Sequence, residues 1–203
     1  MIKKIICFYS LFALLIFSSY SQKFELGLKG GPNFATQKIS NLTSIESVTG
    51  YHLGGFLYLK LPILFGIQIE GQYSTQGSEF QFNQFLNKNS LNYINLPLLI
   101  RTDLGPINLH IGPQFGVLLD AFQTINGIKS TIKNQFVNRD FSLIAGIGLR
   151  LPSGFGLTIR YVKGLSNITD LNILNSNTKN TMFQVSLKYS IIRNNRKKEK
   201  TNE

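Results

Sequence analysis

Phe65-Gly-Ile67-Gln-Ile69-Glu-Gly71-Gln-Tyr73 alternates apolar and polar side chains with a period of two, the mark of a β-strand whose faces meet different surroundings. The pattern recurs seven more times. It predicts strands at about 24–36, 50–60, 65–76, 91–103, 107–119, 139–151, 155–163 and 180–191. Each is close to the roughly 9–11 residues that a tilted strand needs to cross a bilayer. The connectors at 61–64, 104–106 and 152–154 are tight and carry Pro62, Gly105-Pro106 and Pro152-Ser-Gly154, whereas those at 37–49, 77–90, 120–138 and 164–179 are long, polar and rich in Asn. Long loops at one end and short turns at the other predict an all-β fold, an eight-stranded antiparallel up-and-down transmembrane β-barrel.

The two faces separate a membrane barrel from a soluble one. One carries Leu26, Leu28, Leu53, Ile67, Ile69, Leu96, Leu98, Ile111, Ile147, Leu157, Ile159, Val185 and Leu187; the other carries Glu25, Lys29, Asn33, His52, Glu70, Gln72, Arg101, His110, Arg150, Arg160, Gln184 and Lys188. An inward apolar face would make a lipocalin-like carrier. The polar face, however, also sets Gly27, Gly54, Gly146 and Gly148 beside the bulky Phe56 and Tyr58, and small next to large is how a narrow barrel interior is filled. On the apolar face Phe24, Phe65, Phe155 and Tyr189 fall beside the short turns or termini, and Phe34, Tyr51, Tyr73, Phe141, Tyr161 and Phe183 beside the long loops, with Phe115 nearer the middle. Two aromatic belts around an aliphatic band match the two membrane–water interfaces.

Composition agrees with this division. Only 15% of the 203 residues are charged while 12% are aromatic, and the net charge of +11 is spread thinly except at the C-terminus, so no basic stripe exists to track nucleic acid. Residues 1–21 read as a secretory signal peptide: Met1-Ile-Lys-Lys4 is positive, Ile5 to Phe17 is apolar but too short to span, and Ser19-Tyr20-Ser21 is a small-x-small site before Gln22. Cys7, the single cysteine, lies inside that segment, so the mature chain is expected to have no disulfide framework. The barrel domain is expected over 22–192. Residues 193–203, with five positive and two negative side chains, form a basic tail expected to be disordered in the periplasm.

The stretches Leu26-Gly-Leu-Lys-Gly-Gly-Pro-Asn-Phe34, Tyr93-Ile-Asn-Leu-Pro-Leu-Leu-Ile100 and Ile111-Gly-Pro-Gln-Phe-Gly116 resemble the small outer-membrane β-barrels of the Bacteroidota called PorT-like. The resemblance covers about 24–191. It implies an outer-membrane location, no cofactor and, for the founding member, a part in exporting proteins across the envelope. The chain departs from such barrels in continuing past Ile192 where they commonly end on an aromatic residue.

Chemistry-bearing motifs are sparse. There is no phosphate loop, no nucleophile elbow and no Cys or paired-His metal spacing. His52 and His110 are expected near opposite mouths, which disfavours a shared metal. A rim enzyme would have to use His52 with Asp120 or Asp140 as base and orienter. Lys29, Glu70 and Arg160 are expected inside at similar mid-height, with Glu70 the central acceptor of a structural network plugging the lumen. The sequons at Asn41-Leu-Thr43 and Asn167-Ile-Thr169 read as loop composition. The expected role is non-enzymatic, structural or accessory, with a solute pore or a rim enzyme as alternatives. Expected partners are outer-membrane lipid and lipopolysaccharide, and a periplasmic or extracellular protein, for a monomer with both termini in the periplasm.

Overall fold

The structure is a computed structural model describing residues 24–39, 46–61, 64–82, 85–169 and 178–194. The segment read as a signal peptide lies outside them, as do residues 195–203. Nine strands occur among the described residues: β1 Phe24–Ile39, β2 Glu46–Lys60, β3 Phe65–Phe82, β4 Phe85–Leu104, β5 Ile107–Ile125, β6 Ile128–Thr131, β7 Arg139–Arg150, β8 Phe155–Gly164 and β9 Thr178–Asn194. Eight of them close into an antiparallel ring in the order β1-β2-β3-β4-β5-β7-β8-β9, with β9 pairing back onto β1. The four-residue β6 hangs from β5 outside the ring. Closure leaves the ring without the free edge that lipid would not tolerate. Among the described residues no helix is long and apolar enough to cross a membrane.

The alternation predicts the orientation of side chains in every barrel strand. Leu28, Leu53, Ile69, Leu96, Ile111, Ile147, Ile159 and Leu187 are exposed on the outside, while Lys29, Asn33, His52, Glu70, Gln72, Arg101, His110, Arg160 and Gln184 are buried inside. Outward rings meet in pairs at the long-loop end: Tyr51 with Tyr73 at 5.9 Å, Phe115 with Phe141 at 5.1 Å and Tyr161 with Phe183 at 5.0 Å. Phe155 and Tyr189 do so at the other end, at 5.0 Å. Phe115, which pairs with Leu96 of the aliphatic band, is joined to the upper belt through Phe141.

The strands run further than predicted at the long-loop end. β3 reaches Phe82 and β4 begins at Phe85, so most of the loop expected over 77–90 is strand, and the loop expected over 120–138 holds the end of β5, the hairpin to β6 and a single 3-10 turn at Lys133–Gln135. Above the aromatic belt water replaces lipid outside, both faces become polar, and the period-two contrast fades although the ladder continues: Ser78 still pairs with Asn89 and Glu79 with Lys88. At the other end β9 runs through Asn194, which pairs with Phe24, so the first two residues of the stretch read as a tail lie in the closing seam.

Glycine shapes the interior where large side chains cross it. A Cβ on Gly27 would stand 2.7 Å from the Phe56 ring, and one on Gly146 would stand 2.5 Å from Nε2 of His110 and 2.7 Å from the Arg160 stem. The absent methyl at Gly146 is what lets Arg160 and His110 meet across β7.

Candidate functional site in the lumen

The structure brings Lys29, Glu70 and Arg160 together from β1, β3 and β8. Lys29 Nζ donates to Glu70 Oε2 at 2.8 Å, and Arg160 takes both carboxylate oxygens, Nη1 to Oε2 at 2.7 Å and Nη2 to Oε1 at 2.6 Å. Gln68 adds a short hydrogen bond to Oε1. All three charged side chains are fully buried. A bidentate guanidinium and an ammonium on one carboxylate offset a desolvation cost of several kcal/mol per ion, which an unpaired charge here would have to bear alone.

The network spreads along the lumen. Arg160 Nε donates to Nε2 of His110 at 2.8 Å, so His110 carries its proton on Nδ1, which faces Asn108 Oδ1 at 3.3 Å. On the other side Lys29 reaches Gln184 at 3.4 Å, Gln184 donates to Asn33 at 3.1 Å, and Asn33 Oδ1 stands 2.9 Å from Nδ1 of His52, whose Nε2 meets Ser186 at 2.8 Å. The two histidines therefore do not lie at opposite mouths. Both attach to the central cluster, His110 directly through Arg160 and His52 through Asn33 and Gln184, because strand tilt and stagger offset position along a strand from height in the barrel. No group of side chains suited to a metal ion occurs among the described residues.

A second ionic group closes the short-turn end. Arg101 donates to Asp103 at 2.9 Å and to Gln68 at 2.9 Å, Arg150 donates to Asp103 at 3.1 Å, and Tyr58 donates to the same carboxylate at 3.1 Å while its ring lies 4.2 Å under the Arg101 guanidinium. Glu25 lies 3.5 Å from Arg101 and accepts from Ser190. Arg101 and Asp103 are thus members of the lumen filling beyond the three residues singled out from the sequence. The sequence places Arg101 on the inward face and Asp103 two residues on shares its parity, but parity carries no information about which strands face one another across the barrel.

The proposed rim constellation is not assembled. Asp120 is exposed and paired across the ladder with Asn92. Asp140 accepts from Ser166 at 3.0 Å and Asn180 at 2.9 Å, and both ring nitrogens of His52 are engaged deep in the lumen. Neither carboxylate orients the imidazole, because the inward face carries His52 down the barrel and away from the rim.

The long-loop mouth is filled by apolar side chains, which the sequence reading did not foresee. Leu91, Tyr93, Leu118 and Ala121 point inward from β4 and β5, and Ile132, Phe136 and Ile168 descend onto them from the segments before β7 and after β8. The two segments are stitched together by Val137 N–H to Ile168 O at 2.8 Å and by a bridge between Phe136 and Thr169. Asn167 holds the second in place, accepting from the Thr169 hydroxyl at 2.9 Å and from Thr178 N–H at 2.8 Å, which gives that sequon a structural purpose. Between lid and charges, Ala35, Met182, Val162 and Ile144 are paired in turn across β1, β9, β8 and β7, and with Leu99 they form another apolar group. Ile168→Ala, a buried truncation costing about 2–5 kcal/mol locally, is expected to speed amide exchange over 132–138 and 165–169 while exchange in β8 stays slow. Unchanged exchange in both segments would show that they do not form a packed lid.

Comparison with known proteins follows this architecture. The sequence profile described as "Outer membrane protein beta-barrel domain" matches residues 18–170. Among solved structures, Neisserial surface protein A superposes with a TM-score of 0.58 at 10% identity, covering 82% of this chain and 97% of that one. Ail, the attachment invasion locus protein of Yersinia pestis, superposes with a TM-score of 0.53 at 12% identity, covering 84% of this chain and 99% of that one. At such identities the likeness is one of fold. No curated protein matches the sequence.

Proposed function

The chain belongs to the outer-membrane protein β-barrel domain family, and from that premise we propose that it is a closed, non-enzymatic barrel with a structural or accessory role in the cell envelope, acting through its surfaces and not by conducting solutes. The filled lumen carries this reading: a salt-bridged floor, a central cluster around Glu70 and a loop-packed lid succeed one another along the axis. Eight strands leave an interior that side chains alone can fill. Phe24 and Asn194, the first and last described residues, pair at the short-turn end, which is the periplasmic side in this reading, and β6 with the lid segments faces outward.

Lipid and lipopolysaccharide are the expected surroundings of the exposed band. Arg139 lies one pleat beyond Phe141, and Lys163 one pleat beyond Tyr161, on the outward faces of β7 and β8; with the exposed Lys179 on β9 they set cations where lipid phosphates lie. The resemblance to PorT-like barrels of the Bacteroidota adds assistance to protein export as the accessory task to test first. In planar bilayers the purified protein is expected to show no steady conductance. A stable open level in every insertion would replace the plugged barrel by a pore. In cells lacking the gene, a change in secreted proteins with unaltered solute uptake supports the accessory role, whereas a solute-uptake defect alone would overturn it.

A further inference from the structure

A pocket at the short-turn end of the lumen contains a cation that the protein itself does not balance. Arg101, Arg150 and Lys188 line it together with Glu25, Asn108, Thr158 and Ser190. Lys188 is only 8% exposed. Its ammonium stands 4.2 Å from the centre of the Phe56 ring, but among the described residues it meets no carboxylate within ion-pair distance and no hydrogen-bond acceptor. An aromatic face attracts a cation without satisfying its three N–H donors. The carboxylates nearby are committed elsewhere: Glu70 to Lys29 and Arg160, Asp103 to Arg101 and Arg150, and Glu25 to Arg101, Arg150 and Ser190. Arg150 also keeps a buried Nε without a partner.

We propose that this pocket is a binding site for one small monovalent inorganic anion of chloride size, held by the Lys188 ammonium with Arg150 beside it. The pocket encloses about 20 Å³, room for one water-sized particle, which a halide fits. Water alone would accept the ammonium's hydrogen bonds yet leave its charge uncompensated among buried side chains, whereas a halide answers both demands. Thr158, Ser190 and the Asn108 amide supply neutral donors to complete its shell. Glu25 on the same wall sets the charge limit, because a dianion would face a carboxylate only partly offset by arginines at 3.5 and 3.7 Å.

Two measurements on the refolded full chain in detergent test this. Crystals soaked in bromide are expected to give an anomalous peak beside Lys188. At fixed ionic strength, unfolding in urea is expected to be about tenfold slower in saturating chloride than in gluconate, and Lys188→Met is expected to abolish the difference while Lys60→Met, at the rim, keeps it. An empty or water-filled pocket in bromide overturns the proposal, as does equal chloride sensitivity in the wild type and Lys188→Met. Should Lys188→Met fail to fold, the bromide peak in the wild-type protein decides alone.

Discussion

Glu70→Gln is expected to lower folding stability by roughly 3–5 kcal/mol, and Glu70→Lys to prevent folding in detergent or lipid vesicles altogether. Glutamine keeps the volume and one oxygen acceptor, but the charge that answers Lys29 and both nitrogens of the Arg160 fork is gone. Lysine adds a third cation to two that are fully buried. Urea titration followed by heat-dependent gel mobility reads both variants. Glu79→Gln, on the same strand but beyond the lumen cluster, is expected to stay within about 0.5 kcal/mol of the wild type. A stable Glu70→Lys barrel would mean that water reaches the cluster and the lumen is an aqueous channel.

Leu157→Arg and Val185→Arg are expected to cost about 2–4 kcal/mol each when the protein folds into vesicles, because both side chains sit in the band between the aromatic belts. Leu157 pairs with Leu149 and Leu187, and Val185 with Ile159, so neither guanidinium has a polar neighbour on its own face to reach. Ser130→Arg on the exposed β6 should be silent. Equal tolerance at the three positions would place the band in water and contradict the membrane reading.

The parts of this molecule that were legible in its sequence are those where two solvents differ. Between Phe65 and Tyr73 every second residue meets lipid and the others meet the lumen, so alternation alone yields strand, face and register parity. Beyond Gln76 that contrast is lost, and the continuation of β3 from Gly77 to Phe82 reads as loop. One local signal was present and unused: Asn126-Gly127 adopts positive φ at both residues, 48° and 84°, the turn that Asn-Gly favours between hairpin strands, and it creates β6. Lys29, Glu70 and Arg160 could be grouped because all three sit at mid-strand on the inward parity. The lid could not, since Ile132, Phe136 and Ile168 follow no period and their burial depends on two loops meeting over the mouth. The placement of His52 and His110 failed for a related reason, as height along a strand converts to height along the axis only once tilt is known.

The seam between β1 and β9 has a kinetic meaning. Lys29 and Asn33 lie on one side of it, and Gln184, Ser186 and, one strand further, Arg160 on the other, while Glu70 waits across the barrel on β3. Before the ring closes, an open sheet of the same strands leaves Lys29 two strands from Glu70 but keeps Arg160 from Glu70 and Gln184 from Lys29 and Asn33. Completion of the central cluster by Arg160 and joining of the first strand to the last are then a single event. The final zipping of the seam should thus form the main barrier of assembly, with water leaving the lumen as the last ladder bonds are made. Changes to the central cluster would slow that step, and changes to the lid would act only after the ring has already shut.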